Sequence, residues 1–340
     1  MTSATHGARR PRMPFRFLAA VLPGVMALLS VALPTVPAHA ASEYPAHAIR
    51  MVVPYPAGGS TDVVARAIAQ HMGAHLKQTF IVDNKPGASG MIGTEWVAKS
   101  APDGYTLEFT ASDTHSINPS VYRDIRYDAK RDFTPIGLVG YLPLALVARA
   151  NLPVQNTADL IALARQKPGQ LTYASYGVGS SSQVAMEMLN TSTGINLLHV
   201  PFQGAAPAMT AILAGQVDAM MVPLTMADPN YRAGKVKILG VALQKPFPGM
   251  EDLPTFESQN LPISARAWLG IFGPAKLPKP IVDKLNQALN EVLTDPAVLE
   301  TLVKNGLQPE AMSPSGFRDL VDSDFELWGG VVRKANIRHE

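Results

Sequence analysis

Two periods of hydrophobicity alternate along the chain. Short apolar runs of three to seven residues read as strands: Ile49–Val53, Phe80–Val82, Tyr105–Thr110, Ile136–Val139 and Leu144–Val147, the last two flanking a Gly-Tyr-Leu-Pro break. Further runs follow at Leu171–Ala174, Leu197–Val200, Val217–Val222, Val236–Ala242 and Trp268–Phe272. Between them lie stretches with helical spacing. Thr61–Leu76 places Val63, Val64, Ala67, Ile68 and Met72 on one face. Met91–Lys99, Thr157–Gln166, Ser181–Asn190 and Ala206–Leu213 continue the pattern, with Asn156 or Thr157 as the cap of the second of these four. Pro280–Leu293, Pro296–Lys304 and Ser315–Ala335 close the chain as helices. Single helices between strands predict parallel sheets covered by helices.

The first 40 residues stand apart from this pattern. Arg9, Arg10, Arg12 and Arg16 precede a mostly apolar run from Phe17 to Val36, and Ala38-His39-Ala40 precedes Ala41. A basic end, an apolar stretch and a small-residue site make a cleavable secretory signal, with cleavage expected after Ala40. The rival is an uncleaved anchor, against which Pro34 and Pro37 argue. Met13 is an alternative start. Cleavage changes the charge. Loss of the four arginines takes 29 basic residues to 25 against 27 acidic, a net of −2 instead of +2. Nothing basic then points to nucleic acid. No later stretch has the length and apolarity of a membrane span. The absence of Cys excludes disulfides, thiolate metal sites, thiol nucleophiles and a lipidated N-terminal Cys. The remaining 300 or so residues suffice for two domains of about 150.

Chemistry concentrates in loops that open helices. Pro54-Tyr55-Pro56-Ala57-Gly58-Gly59-Ser60-Thr61-Asp62 joins a strand to a helix. Unpaired N–H groups at a helix start, the helix dipole and the Ser60 and Thr61 hydroxyls can together hold an anion without Lys or Arg. The same residues also suit a plain turn in which Ser60 or Asp62 caps the helix. Ser175-Tyr176-Gly177-Val178-Gly179-Ser180-Ser181-Ser182 repeats the arrangement in the second half. Gly59–Ala65 and Gly179–Ala185 share four of seven residues. The second loop lacks the third Gly of a dinucleotide fingerprint and the Gly-Lys pair of a P-loop. Two such loops could hold opposite ends of one small anion. A helix end supplies about 0.3–2 kcal/mol and a charge-assisted hydrogen bond about 1.5–3 kcal/mol. Micromolar affinity requires about 8 kcal/mol net.

Ser89 lies in Asn84–Gly90, a third loop that precedes a helix, and Thr114-His115 and Phe202-Gln203-Gly204 follow strand ends, where ligands of open α/β sheets bind. The Asn84–Gly90 loop reads more readily as a chain reversal, and His115 more readily as a hydrogen-bonded structural residue. His71 and His75 have metal-ligand spacing but no third ligand nearby, so no metal is expected. There is no Gly-x-Ser-x-Gly elbow and no His-Glu-x-x-His, so no catalytic residue and no cofactor are assigned.

Seven segments in chain order resemble the tripartite tricarboxylate transporter receptors, the Bug family. They are Ile49–Asp62, Val82–Gly90, Ala101–Leu107, His115–Tyr122, Lys167–Ser175, His199–Ala208 and Ala214–Asp218. The resemblance implies an α/β, two-lobed periplasmic-binding-protein fold of the type II Venus-flytrap kind, each lobe a mainly parallel sheet flanked by helices. Lobe one would comprise about 43–141 plus 266–340, and lobe two about 142–265. It also implies a periplasmic receptor, not an enzyme, that binds a small organic carboxylate. The ligand would be gripped by backbone groups and water at Tyr55–Asp62, then by the loop Ser175–Ser182 and Phe202-Gln203-Gly204. The implied partners are the membrane subunits of a transporter, with a sensor kinase as the signalling alternative and an exported hydrolase as a third reading. A monomer is the default. The chain departs from the family at Val222, where many relatives carry an Asp, and at Tyr176 and Val178 in the second loop. A missing carboxylate and an added ring favour an unaminated, bulky or aromatic carboxylate.

Overall fold

The computed structural model describes residues 44–261, 263 and 265–338; the expected signal segment and its cleavage site lie outside them. The elements run β1 (Ile49–Val53), α1 (Ser60–Leu76), β2 (Phe80–Asn84), α2 (Met91–Ala98), β3 (Thr106–Ala111), α3 (Asn118–Val121), β4 (Phe133–Leu142) and β5 (Leu144–Arg149). They continue as α4 (Thr157–Gln166), β6 (Thr172–Ser175), α5 (Ser181–Thr193), β7 (Leu198–Pro201), α6 (Ala205–Leu213), β8 (Ala219–Pro223), α7 (Leu224–Arg232) and β9 (Val236–Val241). The last are β10 (Ala267–Pro274), α8 (Lys279–Val292), α9 (Pro296–Lys304), β11 (Gln308–Pro309) and α10 (Pro314–Lys334).

Two sheets result, with strand orders β11-β4-β10-β3-β1-β2 and β7-β6-β8-β5-β9. The chain passes from the first to the second through Pro143 and returns between β9 and β10. The α/β class and the helix-flanked sheets agree with the sequence reading. Strand direction is more mixed than helix-by-helix alternation predicts. β2, β1 and β3 are parallel, as are β7, β6 and β8. β10 runs antiparallel to β3 and β4, and β5 antiparallel to β8 and β9. These antiparallel strands are those flanking the two passages between sheets, where no crossover helix returns the chain to the same end.

Helix α1 buries Val64, Ala65, Ile68, Ala69 and Met72, whereas Val63 is exposed and Ala67 half-buried. At 100° per residue Val63 lies opposite the stripe centred on Ile68, so its apolar character misled the expected face. α7 was not expected, because Pro229 stands inside it. Gly270 on β10 makes room for a ring: a Cβ there would stand 2.2 Å from Phe317 Cζ. α10 touches both halves of the core. Phe317 and Val321 pack with Trp268 and Phe272, while Trp328, Val331 and Val332 pack with Leu144, Val184 and Leu189.

Candidate functional site

A cleft of 490 Å³ opens where loops from the two sheets meet. From the first sheet it is lined by Tyr55 after β1, Ser89 before α2, Asp113 after β3, and Asn118 and Tyr122 around α3. From the second come the loop Tyr176–Ser181 between β6 and α5, and Pro201-Phe202-Gln203 after β7. β1, β3, β6 and β7 thus all present their carboxyl ends to the cleft, the position expected for ligands of α/β sheets.

Each wall is fixed by local bonds. Asn118 Nδ2 donates to the Ser89 carbonyl at 2.9 Å, and the Ser89 and Tyr122 hydroxyls lie 2.7 Å apart. These bonds hold the Asn84–Gly90 reversal at the cleft edge. In the second loop Ser180 caps α5, accepting from the Gln183 N–H, and its hydroxyl donates to the Gly177 carbonyl at 2.6 Å. Gly179 has φ +77°, and a Cβ there would meet Val121 Cγ1 at 2.6 Å, so only Gly fits. The Tyr176 and Ser181 hydroxyls are 2.9 Å apart. Burial pushes the Tyr55 and Tyr176 phenols well above their usual range, leaving both protonated.

The expected residues divide. Tyr55, Ser89, Tyr176, Gly177, Gly179, Ser180, Ser181, Phe202 and Gln203 line the cleft. Ala57, Gly58, Gly59 and Ser60 are exposed and Thr61 half-buried at the start of α1, outside this lining. Asp62 does the work of the plain turn. Its carboxylate accepts from the Gly58 N–H at 2.8 Å, Arg66 Nε at 3.0 Å and Asn84 Nδ2 at 2.9 Å. Burial opposes its ionisation, but the bonds from Arg66, Gly58 and Asn84 outweigh it and hold its pKa below the usual value. Gly204 follows the lining loop as the residue before α6, with φ +115°.

Four expected contacts turn inward. Thr114 is buried with its hydroxyl 2.9 Å from that of Thr110. His115 Nε2 lies 2.9 Å from Glu108 Oε2, and its ring stacks on Phe272 at 4.0 Å. Glu108 also accepts from the Thr94 hydroxyl at 2.6 Å. His115 is therefore a core residue. Val222 is fully buried in β8, so its lack of charge does not bear on the cleft. Ser175 is buried with Oγ 2.6 Å from His199 Nε2.

The last pair is a serine–histidine contact that the sequence did not reveal, because 24 residues separate the partners. Its polarity is wrong for a nucleophile. Gln183 Oε1 accepts from the Gly179 N–H at 2.7 Å, which turns Gln183 Nε2 toward His199 Nδ1 at 3.2 Å. Neutral His199 then accepts at Nδ1 and donates from Nε2 to Ser175 Oγ, so it takes no proton from the serine. The pair braces the second loop from beneath.

Sequence reasoning missed Asp113, Asn118, Tyr122, Val178 and Pro201 as lining residues. For Asp113 a signal existed: an acid two residues past an apolar strand, at a strand's carboxyl end. Burial raises its carboxyl to about 6, with the Ser181 hydroxyl working in the opposite direction.

A cleft at strand carboxyl ends, between two sheets joined by two chain passages, is an arrangement suited to holding a small solute. The chain belongs to the tripartite tricarboxylate transporter receptor family, whose description it matches over residues 64–337. BugT of Bordetella pertussis (strain Tohama I) is 32% identical over 300 residues, covering 88% of this chain and 92% of BugT. Among solved structures, R. palustris Rpa4515 with adipate is 32% identical, with a TM-score of 0.74, covering 87% of this chain and 100% of that one. MatC of Rhodopseudomonas palustris with bound malate is 33% identical, with a TM-score of 0.68, covering 85% and 100%. Both of these relatives hold small carboxylates.

Proposed function

We propose that this protein is a periplasmic receptor that binds a small organic carboxylate between its lobes and presents it to the membrane subunits of a tripartite tricarboxylate-type transporter. The observation that carries the reading is the cleft itself, whose walls come from both sheets and whose volume of 490 Å³ suits a small molecule. Lobe one comprises about 43–141 plus 266–340 and lobe two about 142–265, moving about the passages at Pro143 and between β9 and β10. Ligand held by one lobe gains the contacts of the other on closure, and the closed population rises by that differential affinity. Malate in MatC and adipate in Rpa4515 support the ligand class. The orientation of the Ser175–His199 pair supports a binding role over hydrolysis.

The test is a thermal-shift screen of residues 41–340 against mono-, di- and tricarboxylates, aromatic acids and amino acids. A ligand at 100 times its Kd adds about 2.7 kcal/mol of stability. A saturable shift from one carboxylate class is expected. A folded protein stabilised by none of them would overturn the reading.

A further inference from the structure

Two pieces of the chain counted with lobe one lie in the core of the other lobe. Ile117, just before α3, and Val121, its last residue, are 0% and 2% exposed and pack with Val184, Ala185 and Met188 of α5. Trp328, Val331 and Val332 of α10 belong to the same core, and α10 packs on both α3 and α5. Glycines mark the close approaches. A Cβ on Gly179, in the second-sheet loop, would meet Val121 Cγ1 at 2.6 Å, and one on Gly329 of α10 would meet Ser120 Oγ at 2.8 Å. A swing of the second sheet that left these pieces behind would bring their buried apolar side chains into water, which is costly.

The chain next to each piece is fixed to the first sheet. His115 Nε2 lies 2.9 Å from Glu108 Oε2 on β3, and Tyr127 Oη donates to the Thr114 carbonyl at 2.6 Å. Trp268 Nε1 on β10 donates to Asp324 at 2.8 Å. The change of attachment therefore falls between His115 and Ile117, and again between Asp324 and Trp328. The first interval belongs to Asp113–Ile117, which is wound as a π-helix, a rare form that gathers at functional sites. Ser116 Oγ is buried there with no hydrogen-bond partner among the described residues, so its hydroxyl ties it to neither sheet. In the second interval Glu326 and Leu327 are exposed. Gly329-Gly330 follows them, and helices bend readily at such pairs.

We infer that when the cleft opens, α3 and the end of α10 from Trp328 onward travel with the second sheet, the chain flexing at Ser116 and near Glu326-Leu327. The inference rests on the receptor reading and redraws its lobe division. It also changes the role of Ser89. Asn118 Nδ2 and Tyr122 Oη, which bond Ser89 at 2.9 and 2.7 Å, then reach it from the opposite body, and the two bonds latch the closed form.

The chain has no Cys, so spin labels on introduced cysteines report only the chosen sites. Lys77 just past α1, Gln166 at the end of α4 and Lys334 at the end of α10 are exposed. Three double variants of residues 41–340, each combining two of Lys77→Cys, Gln166→Cys and Lys334→Cys, are measured by pulsed electron–electron resonance, without ligand and with malate or adipate. The 166–334 pair should give one narrow, constant distance. The 77–166 and 77–334 distances should spread or shift together, by several ångströms. A constant 77–334 distance with a varying 166–334 distance would overturn the inference, and so would three fixed distances under all conditions, since no body then moves. Ser89→Ala is a second readout. It should change the populations of the 77–166 distances and leave 166–334 alone. Unchanged populations would put Ser89, Asn118 and Tyr122 in one body and overturn the latch. Failure of the receptor reading looks different: no carboxylate stabilises the chain, while the three distances still divide as stated.

Discussion

Ser181 is the first helical residue of α5, and its hydroxyl stands between the cleft, Tyr176 Oη at 2.9 Å and Asp113. Replacing it by Ala removes one hydrogen bond at a wall that faces ligand, so Ser181→Ala is expected to weaken carboxylate binding by about 1 kcal/mol, a bit over fivefold in Kd by titration. Unchanged affinity would remove Ser181 from the contact set. Two glycines that look alike in the sequence differ in what they tolerate. Gly59 has φ −75°, and a Cβ there would come no nearer than 3.6 Å to another atom. Gly59→Ala should therefore change stability by less than about 0.5 kcal/mol. Gly179 has φ +77° and a blocked Cβ position, so Gly179→Ala should cost about 1–2 kcal/mol from the left-handed backbone alone, before the clash with Val121. Denaturant unfolding of the two variants separates them. The echo between Gly59–Ala65 and Gly179–Ala185 is real in sequence, yet of the two matched glycines only Gly179 has a left-handed backbone; in the first loop that conformation falls on Gly58, with φ +80°.

At the scale of elements, the strands and long helices were legible because their patterns answer to one local cause. β1 and α9 were read with their observed boundaries, and α8 and α10 within a residue at each end, since apolar periodicity and Pro at the helix start agree there. What stayed hidden depends on contacts between distant segments. The direction of β5 and β10, the burial of His115 against Glu108 and Phe272, and the place of half-buried Asp113 on the cleft wall are set by neighbours that no short window contains. The β6–α5 loop was singled out from its Gly and Ser residues and lines the cleft, but the bracing beneath it was not foreseen. That bracing predicts a pH dependence. Burial lowers the pKa of His199 below its ordinary 6.5. The folded state then binds fewer protons than the unfolded chain, and stability present above about 6.5 is lost as pH falls toward the folded value. Protonation at Nδ1 also ends its acceptance from Gln183. Melting temperatures between pH 7.5 and 5 should show an acid loss that His199→Gln lacks. Parallel profiles for the two proteins would mean that His199 is not buried neutral.

On the scale of the whole molecule, α10 packs into both halves of the core, and a buried carboxyl sits midway along it. Phe317 and Val321 precede Asp324 on the side packed against Trp268 and Phe272; Trp328, Val331 and Val332 follow on the side packed with the second sheet's residues. Asp324 accepts from Trp268 Nε1 at 2.8 Å and is 7% exposed. Burial raises its carboxyl from 3.8 to about 6, against the opposing pull of the Trp268 bond and Arg266. Here the sign is opposite to that of His199. The folded state holds its proton longer than the unfolded chain does, so the stabilisation is complete below about 3.8 and is lost as pH rises through about 6. Asn at this position keeps an oxygen for the Trp268 N–H and cannot ionise. Asp324→Asn should match the unaltered protein near pH 4 and exceed it above pH 6, by up to about 3 kcal/mol if the whole shift is electrostatic in origin. Denaturant midpoints measured from pH 4 to pH 8 give the difference directly. A constant gap across that range would show that the carboxylate's charge is not what the site resists. A gap that opens with pH would show that the helix bridging both halves of the core is held below its attainable stability at neutral pH.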